Sequence, residues 1–183
     1  MPRPLTERTA LLVVDLQAGT APYQRTHPVE TVVASVDALA RVTRTAGGRA
    51  VFIRHDPAAT PAGTTQYGGG PRPAPVAYGS LLLERADGDD NLVRGGWSAF
   101  AGTDLDARLR ADSITEVVVV GQATTFGVES TARAAYDLGY DVVLVEDATN
   151  DPDPDAHADR FQSMFPALGV VTKTADLVGP NAI

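Results

Sequence analysis

Three groups in this 183-residue chain have the side chains and the setting for chemistry. Asp15 closes the apolar run Ala10-Leu-Leu-Val-Val14. Arg94 closes a shorter run that begins at Asn91. Between Gln122 and Gly127, small and hydroxylated residues lead from Val117–Val120 into a pattern of helical period. A carboxylate can take or give a proton. A guanidinium can hold a substrate carboxylate through its fork of donors, or simply sit solvated on the surface. Because it is always charged, an arginine near Asp15 favours the ionised carboxylate, which suits a base better than an acid. Backbone N–H groups in a strand-to-helix turn can meet negative charge. Thr124 and Thr125 add hydroxyls that can orient water, contact a ligand or cap the next helix. Gln17, His55, Gln66, Trp97 and Phe126 complete the candidate pocket wall, although Trp97 and Phe126 read equally well as core.

The elements that would position these groups alternate along the chain. Apolar runs at 10–14, 50–53, 91–94, 116–120, 142–145 and 169–172 read as strands. Val29, Val32, Val33, Val36, Leu39 and Ala40 share one helical face, with Pro28 at the start and Gly47-Gly48 as the stop. Further helices are expected over 104–111, from Phe126 to Gly139, over 156–164 and in a brief tail. Such alternation predicts an α/β sheet covered on both faces. Right-handed crossovers then bring the C-terminal ends of the strands to one edge, with Asp15, Arg94 and the 122–127 turn all on it. Residues 56–90 are rich in Pro and Gly and break regular structure. Such a connection is a lid, an oligomer contact or a disordered segment, with a short ordered piece expected at 76–83.

Composition removes several classes of function. Hydrophobic content is 44% and charged content 21%, an ordinary globular balance. A net charge of −8 argues against nucleic acid and anionic membrane as partners. The absence of cysteine excludes disulfides, thiolate metal sites and a cysteine nucleophile. The N-terminus lacks the shape of a signal peptide and no run is long enough to span a membrane, so a cytoplasmic protein is expected. Arg54-His55-Asp56 lacks the neighbours a metal site needs. Asp151, Asp153 and Asp155 imitate a calcium loop, but Ala156 and Gln162 stand where glycine and glutamate are required. Gly68-Gly69-Gly70-Pro71 lacks the Lys-Ser/Thr of a phosphate loop. No metal and no cofactor are expected.

ALLVVDLQ, WSAFAGTDLDARLR and GQATTFGVESTARAAYDLGYDVVLVEDA, taken together, resemble the isochorismatase-like hydrolase superfamily, also called the cysteine hydrolases. The resemblance runs along nearly the whole chain. It implies one domain over residues 1–183, with a loop insertion at about 56–90. It implies a three-layer α/β/α fold around a mostly parallel six-stranded sheet of order 3-2-1-4-5-6. It also implies a homo-oligomer, dimer or tetramer, whose partner subunits can line the pocket. Most members resemble amidases with an Asp, Lys and Cys triad. Asp15 stands at the aspartate, Arg94 at the lysine and Gly127 at the cysteine. Isochorismatases proper carry glycine there too and cleave a vinyl ether without a covalent intermediate.

The implied activity is hydrolysis of a small, carboxylated molecule by a cysteine-independent, non-covalent route, at a vinyl ether, amide or ester. The resemblance further implies a cis peptide at Gln122-Ala123, with the N–H groups of Ala123 and Gly127 as an oxyanion-binding pair. The missing thiol and the altered lysine suggest a second reading, a catalytically decayed member that binds small molecules or serves as a scaffold.

Overall fold

The computed structural model describes residues 4–66 and 69–179. Gly68 of the glycine run and both ends of the expected 1–183 span lie outside them. Six strands form one sheet: β1 (Thr9–Val14), β2 (Arg49–His55), β3 (Asp90–Arg94), β4 (Glu116–Gln122), β5 (Asp141–Asn150) and β6 (Val170–Thr172). Their order is β3-β2-β1-β4-β5-β6, and every pairing is parallel. The expected order therefore holds, and the sheet is entirely parallel.

Strand periodicity divides the interior into two cores. Ala10, Leu12 and Val14 of β1, with Val117 and Val119 of β4 and Val142 and Leu144 of β5, pack on one face. Leu11, Val13, Val118, Val120, Val143 and Val145 pack on the other. Successive side chains point to opposite faces, so a run apolar at every position fills both layers at once. Helix α1 (Val29–Thr45) covers the second face through Val32, Val36, Leu39 and Ala40, beside α6 (Thr174–Val178). The first face is covered by α2 (Leu105–Ala111), α3 (Glu129–Asp137) and the segment from α4 (Pro154–Asp159) through α5 (Phe165–Leu168). Each fully buried Val or Leu contributes about 1.5–3 kcal/mol, so these layers hold the sheet edge rigidly enough to position side chains.

Three elements depart from expectation. β5 continues through Glu146-Asp-Ala-Thr-Asn150, beyond the apolar run 142–145. Thr149 and Asn150 are buried there beside core residue Ala148, and Thr149 Oγ1 donates to Glu146 O, so the strand continues on mostly polar side chains. A π turn over Thr124–Val128 precedes α3. The helix expected at 156–164 starts at Pro154, where Asp153 accepts from the N–H groups of Asp155 and Ala156, and it passes through a π segment at Arg160–Met164. Residues 56–90 hold one-turn helices at Pro57–Ala59 and Val76–Gly79, and Leu81 bridges antiparallel to Gln17. No helix among the described residues is long and apolar enough to cross a membrane.

Candidate active site

The strand order reverses between β1 and β4. Open α/β sheets leave a crevice at such a point, beyond the C-terminal ends of the strands. Gly121 allows the two strands to close on each other, with φ of 108° and the position of a Cβ only 2.0 Å from Val14 O. A cavity of about 680 Å³ opens just past this contact. Asp15, Arg94, Gln122, Ala123, Phe126 and Gly127 line its sheet side, and residues of the 60–72 stretch complete the wall.

Asp15 turns out of β1 with φ of 48°, a left-handed conformation that costs a non-glycine residue about 1–2 kcal/mol. Its backbone is held on both sides. The Asp15 N–H donates to Ile53 O at 2.9 Å, and Asp15 O accepts from Thr20 Oγ1 at 2.7 Å and Gln122 Nε2 at 3.1 Å. Arg94 comes from the end of β3, two strands away. Its Nη2 donates to Asp15 Oδ2, and its Nη1 donates to Gly96 O. Both side chains are buried. Asp15 Oδ1 and Arg94 Nε have no hydrogen-bond partner among the described residues. The contact is thus a single-point ion pair, and the fork expected to meet a substrate carboxylate is already engaged.

This geometry keeps the ionised form of Asp15 but raises its proton affinity. Burial raises its pKa to about 6, while the charge and hydrogen bond of Arg94 pull downward without prevailing. Taking a carboxylate out of water costs more here than one imperfect ion pair returns. Near neutral pH the carboxylate predominates, and its protonated form is close at hand.

Arg94 also explains the residue at 127. A Cβ added to Gly127 would lie 2.6 Å from Arg94 Nη2 and 2.9 Å from Val14 Cγ1. The guanidinium thus takes up the space that a side chain at 127 would need. The neighbouring Gln122-Ala123 peptide is cis, as expected.

The other expected wall residues separate into two groups. His55, Trp97 and Phe126 line the cavity. The pKa of His55 is lowered by burial and then by the Arg94 charge, which disfavours the charged ring. Trp97 and Phe126 form an edge-to-face pair with centroids 5.2 Å apart, and at 61% and 46% exposed they are wall, not core. Gln17, Gln66, Thr124 and Thr125 lie outside the lining. Gln66 is exposed. Gln17 is buried and clips β1 to β2, accepting from His55 N at 2.7 Å and donating to His55 O at 3.2 Å. The Thr124 hydroxyl lies 3.1 Å from Asn150 O and 2.9 Å from His157 Nδ1, away from the cavity.

The threonines do not cap the turn. Asp151 does, accepting from Thr125 N at 2.7 Å and Thr125 Oγ1 at 2.8 Å. Asp151 and Asp153, read as calcium mimics, therefore spend their oxygens on backbone N–H groups. Among the described residues, no group of three or more His, Asp or Glu is placed to hold a metal ion.

Thr20, Tyr23, Gln24, Arg72 and Gln122 line the cavity without having been singled out from sequence. Only Gln122 carried a signal, as the residue that opens the cis bond. The others lie in irregular segments, where no periodicity tells an inward side chain from an outward one.

An all-parallel three-layer sheet with a proton-carrying residue, a paired cation and a strand-to-helix turn at its switch point is the architecture of a small-molecule enzyme. The chain belongs to the isochorismatase family, whose domain model matches residues 9–176. It is 34% identical over 179 residues to the isochorismatase family protein YwoC of Bacillus subtilis (strain 168), covering 94% of this chain and 93% of that protein. It is 28% identical over 216 aligned positions to the ureidoacrylate amidohydrolase RutB of Pantoea ananatis, covering 94% and 83%. A solved isochorismatase family protein from Burkholderia thailandensis superposes with a TM-score of 0.89 at 33% identity, covering 96% of each chain. Hydrolysis is the reaction class of this family, and the chain is a hydrolase.

Proposed function

We propose that the protein hydrolyses a small molecule by direct attack of water, without a covalent intermediate. The observation that carries this reading is the floor of the cavity. Asp15 sits there with a pKa raised to about 6 and one carboxylate oxygen unpartnered, next to a residue, Gly127, that has no side chain. Asp15 takes a proton from water as the oxygen attacks a carbonyl carbon. The N–H groups of Ala123 and Gly127 meet the negative charge that develops on the carbonyl oxygen. Asp15 then returns the proton to the leaving nitrogen or oxygen. Arg94 holds the carboxylate in place and keeps it mostly ionised when the pocket is empty. The amidohydrolase name of the Pantoea relative supports an amide as the substrate bond.

A second reading rests on the raised pKa itself. A carboxyl that is protonated near neutrality can instead give a proton first, as cleavage of a vinyl ether requires. The two differ in the pH dependence of kcat/KM. A base-first enzyme gains activity as pH rises through about 6, and an acid-first enzyme loses it over the same window.

The test is turnover of p-nitrophenyl acetate and of a panel of primary amides, followed by nitrophenolate and ammonia release. Asp15→Asn is expected to lower kcat/KM by about 10²–10⁴-fold, the usual worth of a positioned acid or base, with cooperative unfolding retained. Unchanged turnover in that variant would remove Asp15 from the chemistry, and no turnover in the wild type would leave a binding protein.

A further inference from the structure

We infer that Arg72 is the residue that selects the substrate, by holding an anionic group, a carboxylate above all, from the loop side of the cavity. The inference rests on the cavity being the substrate site, as proposed above.

Two cations line the cavity, Arg72 and Arg94, against one carboxylate, Asp15. The lining is therefore net positive in a chain whose formal charge is −8. A positive hollow in a negative molecule concentrates anions where the rest of the surface repels them. Arg94 is the poorer receiver, because Asp15 and Gly96 each accept from one of its terminal nitrogens, its head is buried and only its Nε is left without a partner among the described residues. An anion at the floor would also face the Asp15 carboxylate.

Arg72 differs on each count. Its guanidinium makes no hydrogen bond or ion pair with a described residue, and the residue is exposed, so all five donors remain available. Its position is nonetheless set, since the Arg72 N–H donates to Pro57 O at 2.9 Å, tying the loop to the chain just past β2. Its charge is felt inside, where it lowers the pKa of His55 and opposes the rise at Tyr78, behind larger contributions from burial.

A substrate would then lie with its scissile carbonyl over Asp15 and Gly127, its body against Trp97 and Phe126, and its anionic end on Arg72. Specificity in this arrangement comes from the 56–90 loop, and the proton transfer comes from the sheet edge.

Trp97 is the chain's only tryptophan and lines the cavity, so its emission reports occupancy without any need for turnover. The probes are benzoate and its neutral counterpart benzamide, titrated with excitation at 295 nm. Benzoate is expected to bind the wild type more tightly than benzamide, with an affinity that weakens as NaCl rises from 50 to 500 mM. Arg72→Gln should weaken benzoate by about tenfold, the scale of one charge-assisted contact, leave benzamide unchanged and abolish the salt dependence. Arg72→Lys should recover part of the loss. The inference is overturned if the wild type binds neither probe or binds both equally, or if Arg72→Gln weakens both alike or neither. Failure of the Asp15→Asn turnover test would leave these binding curves untouched, so the two proposals can fall separately.

Discussion

The turn at 122–127 has two sides, and each is backed by buried polar residues at the same end of the sheet. In front, Asp15, Arg94 and Gln122 are buried and line the cavity, and each keeps a polar atom without a partner among the described residues: Oδ1, Nε and Oε1. Behind, Asn150 has its amide fully engaged. Its Oδ1 accepts from the N–H groups of Thr26, His27 and Asp151 at 3.0–3.1 Å, and its Nδ2 donates to His27 O at 2.8 Å. Asp151 is likewise spent on Thr125 and Asp153. His27 and His157 are the exceptions at the rear, each with an unpartnered Nε2. Polar identity therefore does not distinguish chemistry from scaffolding here. Those two histidines apart, completeness of hydrogen bonding does, because a buried polar group left unpaired costs free energy that a substrate can relieve.

The largest effect that would sharpen this contrast is expected at the rear. Asn150→Ala strands three N–H donors and a carbonyl, and should cost about 3 kcal/mol in denaturant unfolding. Measured at a temperature where the variant is folded, kcat/KM should stay near the wild-type value. A large loss of turnover without a loss of stability would break the division between front and rear.

A smaller effect is expected in front. Gly127→Ala pushes a methyl group toward Arg94 Nη2 and Val14 Cγ1 and should destabilise by about 1–3 kcal/mol, as overpacking does. Replacing Arg94 with Lys removes the branched head that creates part of the clash. A double-mutant cycle on Gly127→Ala and Arg94→Lys should therefore show favourable coupling of about 0.5 kcal/mol or more. Strict additivity would mean that the guanidinium does not fill the space beside Gly127.

The smallest effect separates the two sides by sign. Asp15 has a raised folded pKa, so the folded chain binds its proton before the unfolded chain does. Its contribution to stability grows as pH falls from about 6 toward about 4 and is lost as pH rises again. His157 is lowered, first by burial and then by His27, so the unfolded chain binds the proton first. Its contribution falls as pH drops below about 6.5. Each slope is at most about 1.4 kcal/mol per pH unit. Unfolding free energies from pH 7.5 to 4 should therefore show partly cancelling trends in the wild type. Asp15→Asn should steepen the loss toward acid, and His157→Gln should flatten it. The same slope in all three proteins would refute the assignment.

Much of the scaffold was legible in the chain because strand burial is written in local runs. Val117–Val120 fills both cores by alternation alone, and Asp15 is marked as a residue of the sheet edge by ending such a run. The resemblance to a known family supplied the cis bond and the strand order. The site was only partly legible. Thr124 and Thr125 have hydroxyls suited to catalysis, but they meet Asn150, His157 and Asp151, which lie 26 to 33 residues further on. Gln17 looked like a ligand contact and is instead a clip between strands. β5 ran past its expected end because its polar residues find partners across the fold.

By itself the sequence determined the parallel α/β architecture, the edge where chemistry could occur and the absence of a thiol there. These depend on residue type and short-range periodicity, which any window of the chain displays. Tertiary structure decided which polar groups face the cavity and which are tied off behind it. It also decided that burial outweighs Arg94 in setting the proton affinity of Asp15, and that Arg72 is the cavity cation whose guanidinium meets no described residue. Those outcomes depend on desolvation and on hydrogen-bond partners far apart in the chain, such as Asp15 and Arg94, 79 positions distant.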